Sequence, residues 1–381
     1  MRKKLKSLLA LGCFAFLTLF GNGARAENEV DTSARSAILI DRQTGGVLLS
    51  GNAREPLPMA STTKVMTALL ALEYGRLEET VTVGRNAYGV PGTSIYLSLG
   101  EKISLRDLLY GLMLASGNDA AVAIAEHIGG DVETFCRMMN ERAAEIGCSD
   151  TVFINPNGLP ASGHHTTAHD LALIAREAMS YELFREIVST QRASIPWEGR
   201  SYSRILNNKN KLLSSYEGAT GIKTGYTKAA GRCLVFGAKR NGLELIGVVL
   251  NCGNWFEEAA RLMDLAFDQY EGFTALEKGE TVRLLPVIDG QQETVCIRAE
   301  DTLYAPVKKG IIPVLMYELP DEVSAGISEG DPIGRAMLML GSRELASTAL
   351  VAGETLPVRD YGYALEQIVQ SWPSVGEAMT Q

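Results

Sequence analysis

Basic charge is scarce in this sequence: 36 Lys and Arg stand against 45 Asp and Glu, for a formal net charge of −9. Nucleic-acid binding as the main activity is thereby excluded, because it needs a basic footprint facing the phosphates. Long apolar runs are scarce too. Beyond residue 26 nothing approaches the ~20 apolar residues that cross a bilayer, so a multi-span membrane protein is excluded. No internal repeat or low-complexity stretch occurs. With 46% hydrophobic and 21% charged residues, the chain is balanced like an ordinary globular protein, neither disordered nor collagen-like. At 381 residues it exceeds one small domain and points to two or three.

Cysteine is sparse, with six in all. One of them, Cys13, falls in residues 1–26, which read as an export leader. Arg2, Lys3, Lys4 and Lys6 make a basic start, an apolar run extends from Leu8 to Phe20, and Ala24-Arg25-Ala26 offers small residues before the cut. Cys13 sits inside that run rather than at its end, which argues against a lipoprotein signal. Removing the leader takes away five basic residues and no acidic one, leaving a charge of about −14. An exported, extracytoplasmic protein is expected, with an acidic body that anionic lipid repels. Cys136, Cys148, Cys233, Cys252 and Cys296 remain, an odd number without zinc-site spacing, so most read as buried thiols.

What is present is a clear order of elements. Residues 36–51 read as strand, turn and strand around Thr44-Gly45-Gly46. Helices are expected over about 61–73, 104–114, 119–127, 131–146 and 168–180, the second opened by Ser104-Leu105-Arg106-Asp107, which resembles a capping box with Asp in place of Glu or Gln. Strands return at 221–226, 232–239 and 243–251, with Asn241-Gly242 as a two-residue hairpin turn. A helix follows at 255–270. This order predicts an α+β domain over 27–274, an antiparallel sheet with an inserted helical region. From 275 to 360 short strands punctuated by Gly, Pro and Asp predict a small all-β domain, followed by a tail, 361–381. In the 241–242 hairpin Arg240 pairs with Leu243 and Cys233 with Leu250. Cys252 then falls diagonal to Cys233 on the same face, ~7–8 Å away. That is slightly beyond disulfide range, so a bridge needs extra twist or a bulge.

Three short elements carry chemistry. Ser61-Thr62-Thr63-Lys64 opens an apolar helix, and three residues is nearly one turn, so hydroxyl and amine share a face. A serine hydroxyl needs an adjacent base to become a nucleophile. Lysine can be that base only when neutral, which requires its pKa to fall by ~3 units. Burial and a second cation can supply that shift. Ser116-Gly117-Asn118 lies on a tight link between helices, where a hydroxyl and an amide can relay protons and orient a substrate. Lys223-Thr224-Gly225 lies on a strand. Lys223 and Gly225 share one face, Lys223 as the second cation and Gly225 as an opening for a substrate backbone pairing with the strand edge.

Ser-x-x-Lys, the Ser/Asn element and Lys-Thr-Gly, in this order, form the motif set of penicillin-binding proteins and class A β-lactamases. With Asn155-Pro156-Asn157-Gly158-Leu159 and Gly221–Thr227, the sequence over 36–270 resembles the low-molecular-mass penicillin-binding proteins, serine D-Ala-D-Ala carboxypeptidases. The resemblance implies a β-lactamase/DD-peptidase-like fold, no cofactor or metal, peptidoglycan stem peptides as substrate and β-lactams as acylating inhibitors. It implies Ser61 as nucleophile, Lys64 as base, and Ser116 and Asn118 as proton-transfer and positioning groups. Lys223, Thr224 and Gly225 would bind substrate, the backbone N–H groups of Ser61 and Tyr226 would form the oxyanion hole, and Lys209 would hold the terminal carboxylate. Thr220 stands where the family usually has an acidic residue, and Lys209 where Arg is common.

Two alternatives stand beside it. A class A-like β-lactamase would need a Glu-x-x-Leu-Asn loop between the second and third motifs, and none is there. A non-catalytic β-lactam or peptidoglycan sensor could carry the same motifs, though no membrane-spanning segment follows residue 26. His164, His165 and His169 lie in a stretch that reads as a solvated loop and helix cap rather than a metal site. The tail has no Lys or Arg, carries Glu366 and Glu377 and is broken by Pro373. These features oppose an amphipathic membrane helix and leave membrane attachment open.

Overall fold

A computed structural model describes residues 28–371. The expected leader, and the tail from 372 on with Pro373 and Glu377, lie outside the described residues. Strands β1 (Ser36–Asp41) and β2 (Val47–Gly51) make the first hairpin. Its turn is fastened by Asp41 Oδ1, which accepts from both Thr44 N and Thr44 Oγ1 at 2.7 Å. The helical region begins with a 3-10 turn, Ala60–Thr63, that runs into α1 (Lys64–Tyr74). A minor hairpin, β3 (Thr80–Thr82) and β4 (Lys102–Ser104), leads into α2 (Leu105–Met113). Then come α3 (Asn118–Gly129), α4 (Val132–Ile146), α5 (Ala168–Ala178) and α6 (Glu182–Ser189). The caps are local: Ser104, Asp131 and Thr167 each accept from the N–H three residues on. Helix α6 and the hairpin β5 (Arg192–Ile195) and β6 (Arg204–Asn207) were not expected from the sequence. Neither Gly nor Pro separates α5 from α6, so their pattern reads as one fading helix.

A short helix α7 (Leu212–Ser215) precedes β7 (Ala219–Thr227), β8 (Gly231–Arg240) and β9 (Leu243–Leu250). The five-stranded sheet has the order β2-β1-β9-β8-β7 and is antiparallel throughout, with β7 on its edge. Alternation sorts its residues between two cores. Ile38, Ile40, Val235, Ile246 and Val248 pack against the helical region, while Leu39, Leu234, Phe236, Leu245 and Val249 pack under α8 (Trp255–Gln269).

The predicted hairpin register is the observed one, with Arg240 opposite Leu243 and Leu234 opposite Val249. The disulfide geometry is not. Both cysteines are free thiols, Cys233 in the core under the helices and Cys252 in the core under α8. Asn251 takes a left-handed φ of +49°, which ends the strand's alternation and turns Cys252 to the opposite side of the sheet.

Past α8 the chain is built of β10 (Tyr270–Leu276), β11 (Thr281–Ile288), β12 (Thr294–Ala299), β13 (Leu303–Lys308) and β14 (Val314–Glu318). Next come β15 (Val323–Ser324), β16 (Pro332–Leu340) and β17 (Arg343–Ala352). Six of these strands form the sheet β14-β16-β17-β12-β11-β15, and β10 pairs with β13. Their inner faces make a third core around Val295, Ile297, Leu338 and Leu350. Tyr304 Oη donates to Asp41 Oδ2 at 2.9 Å, tying β13 to the first hairpin of the α+β region. The chain then forms α9 (Tyr361–Ser371), which leaves Tyr361, Leu365, Ile368 and Val369 exposed. Among the described residues no helix is long and apolar enough to cross a membrane.

Candidate active site

Helix α1 runs through the middle of the helical region, and Val65, Met66, Ala68, Leu69, Leu70 and Ala71 are fully buried on it. A side chain on its first turn is therefore held inside the protein, and Lys64 is 0% exposed. The sequence suggested an α-helix from Ser61, but Ser61 stands on the 3-10 turn that feeds it. Ala60, just before it, has φ +49°, a left-handed conformation that costs a non-glycine residue about 1 kcal/mol. The surroundings enforce it. Thr62 Oγ1 donates to Met59 O at 2.6 Å and Thr63 Oγ1 to Ala60 O at 2.8 Å. Gly158 lies against the Ala60 carbonyl, where a Cβ would sit 1.9 Å from the oxygen. Gly225 supports the turn from the sheet: a Cβ there would fall 3.0 Å from Ser61 N and 3.1 Å from Met59 O. Its bare Cα thus admits the turn carrying Ser61.

Lys64 is held by three contacts behind this turn. Lys64 Nζ lies 2.9 Å from Ser61 Oγ, 2.8 Å from Asn118 Oδ1 and 2.6 Å from Asn157 O. Two of these partners can only accept. A neutral amine has two N–H donors for them and one lone pair, which then faces the Ser61 hydroxyl. Burial drives the Lys64 pKa well below its usual value, with the charges of Lys223 and Lys209 adding to the shift and Asp119 opposing it. Lys223, 1% exposed, donates to Thr224 O at 3.1 Å. Burial, then the nearby Lys209, lowers its pKa to about 7. Asn118 is fixed from its other end, Nδ2 donating to Pro91 O at 2.7 Å. Ser116 takes φ +63° on the link between α2 and α3, which presents its side chain at the cleft.

The cleft holds about 570 Å³ and is lined by Ser61, Ser116, Lys209, Thr224, Gly225 and Tyr226 among others. Lys209 stands at its rim, with Nζ 3.4 Å from Thr93 Oγ1. All nine sequence-predicted residues therefore converge on one place, Lys64, Asn118 and Lys223 as its buried floor. The sequence reading gave no role to Asn157 and Gly158. The signal was the Asn155–Leu159 block: Asn155 Oδ1 accepts from Gly158 N at 2.7 Å and folds the loop so that the Asn157 carbonyl reaches Lys64. Arg232 and Trp255, whose side chains stack at 6.0 Å on the far wall, were also missed. Nothing in their local sequence marks them. The histidine stretch is corrected in part. Thr167 caps α5 as expected, but His164 is 6% exposed and packed behind the turn, not solvated.

Comparison with known proteins gives the family and the fold. The D-alanyl-D-alanine carboxypeptidase family model matches residues 23–254, and the C-terminal domain model of penicillin-binding protein 5 matches 270–358. The chain belongs to the D-alanyl-D-alanine carboxypeptidase family. It is 33% identical over 385 residues to the carboxypeptidase DacF of Bacillus subtilis, covering 97% of this chain and 99% of that one. To DacC of Escherichia coli it is 32% identical, over 90% of each chain. The crystal structure of penicillin-binding protein 5 from Haemophilus influenzae superposes with a TM-score of 0.72 at 29% identity, over 86% of this chain and 98% of that one. The carboxypeptidase fold is thus shared across both domains.

Proposed function

We propose that this carboxypeptidase removes the last D-alanine from peptidoglycan stem pentapeptides on the outer side of the cytoplasmic membrane, with the following roles. The peptide lies along edge strand β7, its terminal carboxylate toward Thr224 and Lys209. Lys64 takes the Ser61 proton as Oγ bonds to the carbonyl carbon between the two terminal D-alanines. The Ser61 and Tyr226 N–H groups hold the oxyanion. As the C–N bond breaks, a proton passes from Lys64 through Ser116 to the leaving amine. Water then attacks the ester, its proton going to Lys64, and the Ser61 hydroxyl is restored as the tetrapeptide leaves. Asn118 and Lys223 keep Lys64 placed and neutral. A β-lactam enters the same path, its ring amide acylating Ser61.

The observation that carries this reading is the set of contacts at Lys64 Nζ, which leaves a buried amine one lone pair directed at Ser61. The test is release of free D-alanine from a peptide ending in D-Ala-D-Ala, comparing the protein with its Ser61→Ala variant. Release that vanishes in the variant is the expected result. Penicillin labelling at Ser61 without release from either protein would overturn the enzyme and leave the sensor.

A further inference from the structure

The turn that carries Ser61 is held from behind by a chain of hydrogen bonds with a fixed direction. Ile154 N donates to His164 Nδ1 at 3.0 Å, and His164 Nε2 lies 2.9 Å from Thr63 Oγ1, which donates to Ala60 O at 2.8 Å. A neutral imidazole carries one proton. Because Nδ1 accepts from a backbone N–H, that proton is on Nε2, so His164 donates to Thr63. The Thr63 hydroxyl, occupied as an acceptor, must give its own proton to the Ala60 carbonyl. The alternative tautomer would set two N–H donors against each other at Ile154.

We propose that His164 is a positioning residue for the nucleophile: through Thr63 it locks the left-handed Ala60 carbonyl and so fixes the N–H and hydroxyl of Ser61. It touches neither substrate nor Lys64. The imidazole is packed edge-on against Phe153, at 6.1 Å between centroids. Burial, with His165 next to it, pushes its pKa down to about 4, so it stays neutral at the pH where lysine bases act. Gly158 closes the other side of the same carbonyl. The Ala60 peptide is therefore held between a donor and a steric wall, and releasing the donor lets it relax. A misplacement of reacting groups by about 1 Å can cost about 100-fold in rate.

This inference rests on Ser61 as nucleophile, which the Ser61→Ala comparison tests on its own. The test here is the rate of acylation by a labelled penicillin, expressed per titratable site, together with kcat and KM for D-alanine release. The variants are His164→Gln, His164→Asn, Thr63→Val and Thr63→Ser. Glutamine places an amide N–H near the position of Nε2, whereas asparagine ends near Nδ1 and cannot reach Thr63. The expected result is acylation and kcat about tenfold slower in His164→Asn and Thr63→Val with KM held, and recovery to within about threefold in His164→Gln and Thr63→Ser. The His164→Asn/Thr63→Val double variant should be no slower than either single one, since both cut one chain. Wild-type acylation by His164→Asn, equal loss in His164→Gln, or additive losses in the double variant would overturn the proposal. If His164→Asn does not fold, Thr63→Val against Thr63→Ser decides, because both keep the imidazole.

Discussion

The two halves of this molecule treat buried polarity in opposite ways. In the α+β region the described residues include buried Lys64, Lys223, Asp119, Asp170, Glu101, Arg204 and Glu258. From residue 270 onward the buried residues among those described include no charged one, and their polar side-chain groups are the hydroxyls of Tyr270, Tyr304 and Thr348. Both regions have apolar cores, so burial of charge is not a requirement for folding either one. A buried ionisable group is costly unless it is paired or neutralised. Some of these groups are paired: Arg204 meets Glu101 at 2.9 Å with both nearly inaccessible. Lys64 and Lys223 have no carboxylate partner within ion-pair distance among the described residues, and their neighbours push them toward the neutral form. The unpaired lysines identify the α+β region as the working half, while the β half carries a core free of such obligations.

Four changes would break or sharpen this contrast. The largest effect is expected from Ser61→Ala, which should remove D-alanine release and penicillin labelling altogether and leave the thermal unfolding of both domains intact. Next is Lys223→Gln. In the wild type, acylation should slow as pH falls, because Lys64 gains a proton on passing below its depressed pKa. Removing a neighbouring cation raises that pKa, so the acidic limb of the rate–pH profile should move to higher pH and the rate near neutrality should drop by about tenfold or more. An unmoved limb would mean that Lys223 does not tune Lys64. Gly158→Ala comes third. Its Cβ would collide with the Ala60 carbonyl at a φ of +85°, and a loss of about 2 kcal/mol or more in stability is expected, seen by denaturant titration alongside slower acylation. The smallest change is Tyr304→Phe, which leaves Asp41 Oδ2 without its donor from the β domain. Stability should fall by about 1–3 kcal/mol while the acylation rate per active site is unchanged. A rate that followed this substitution would show that the β half steers the cleft after all.

Much of the site was legible in one dimension because its motifs are local. Ser61 and Lys64 are one turn apart, Ser116 and Asn118 flank one link, and Lys223 to Tyr226 lie on one strand. Patterns with period 3.6 or 2 identified the elements that carry them. What stayed illegible depends on partners far along the chain. The turn at Met59–Thr62 that packs against Gly225 comes from more than 160 residues away in sequence. His164 looked like loop because its partner is Thr63, 101 residues earlier. Cys252 looked like a neighbour of Cys233 because one left-handed residue, Asn251, leaves no mark in a hydrophobic pattern.

The sequence by itself determined which side chains are available at the candidate site and in what order along the chain, since a hydroxyl, an amine and a second cation are set by residue type and short spacing. Tertiary structure alone decided that the Lys64 amine is buried and pushed toward its neutral form. Its amine is poised only because the first two turns of α1 are buried, Asn118 Oδ1 and the Asn157 carbonyl accept hydrogen bonds from it, and Lys223 and Lys209 add positive charge near it. A pKa is a property of surroundings, and these surroundings arrive from four separate stretches of chain.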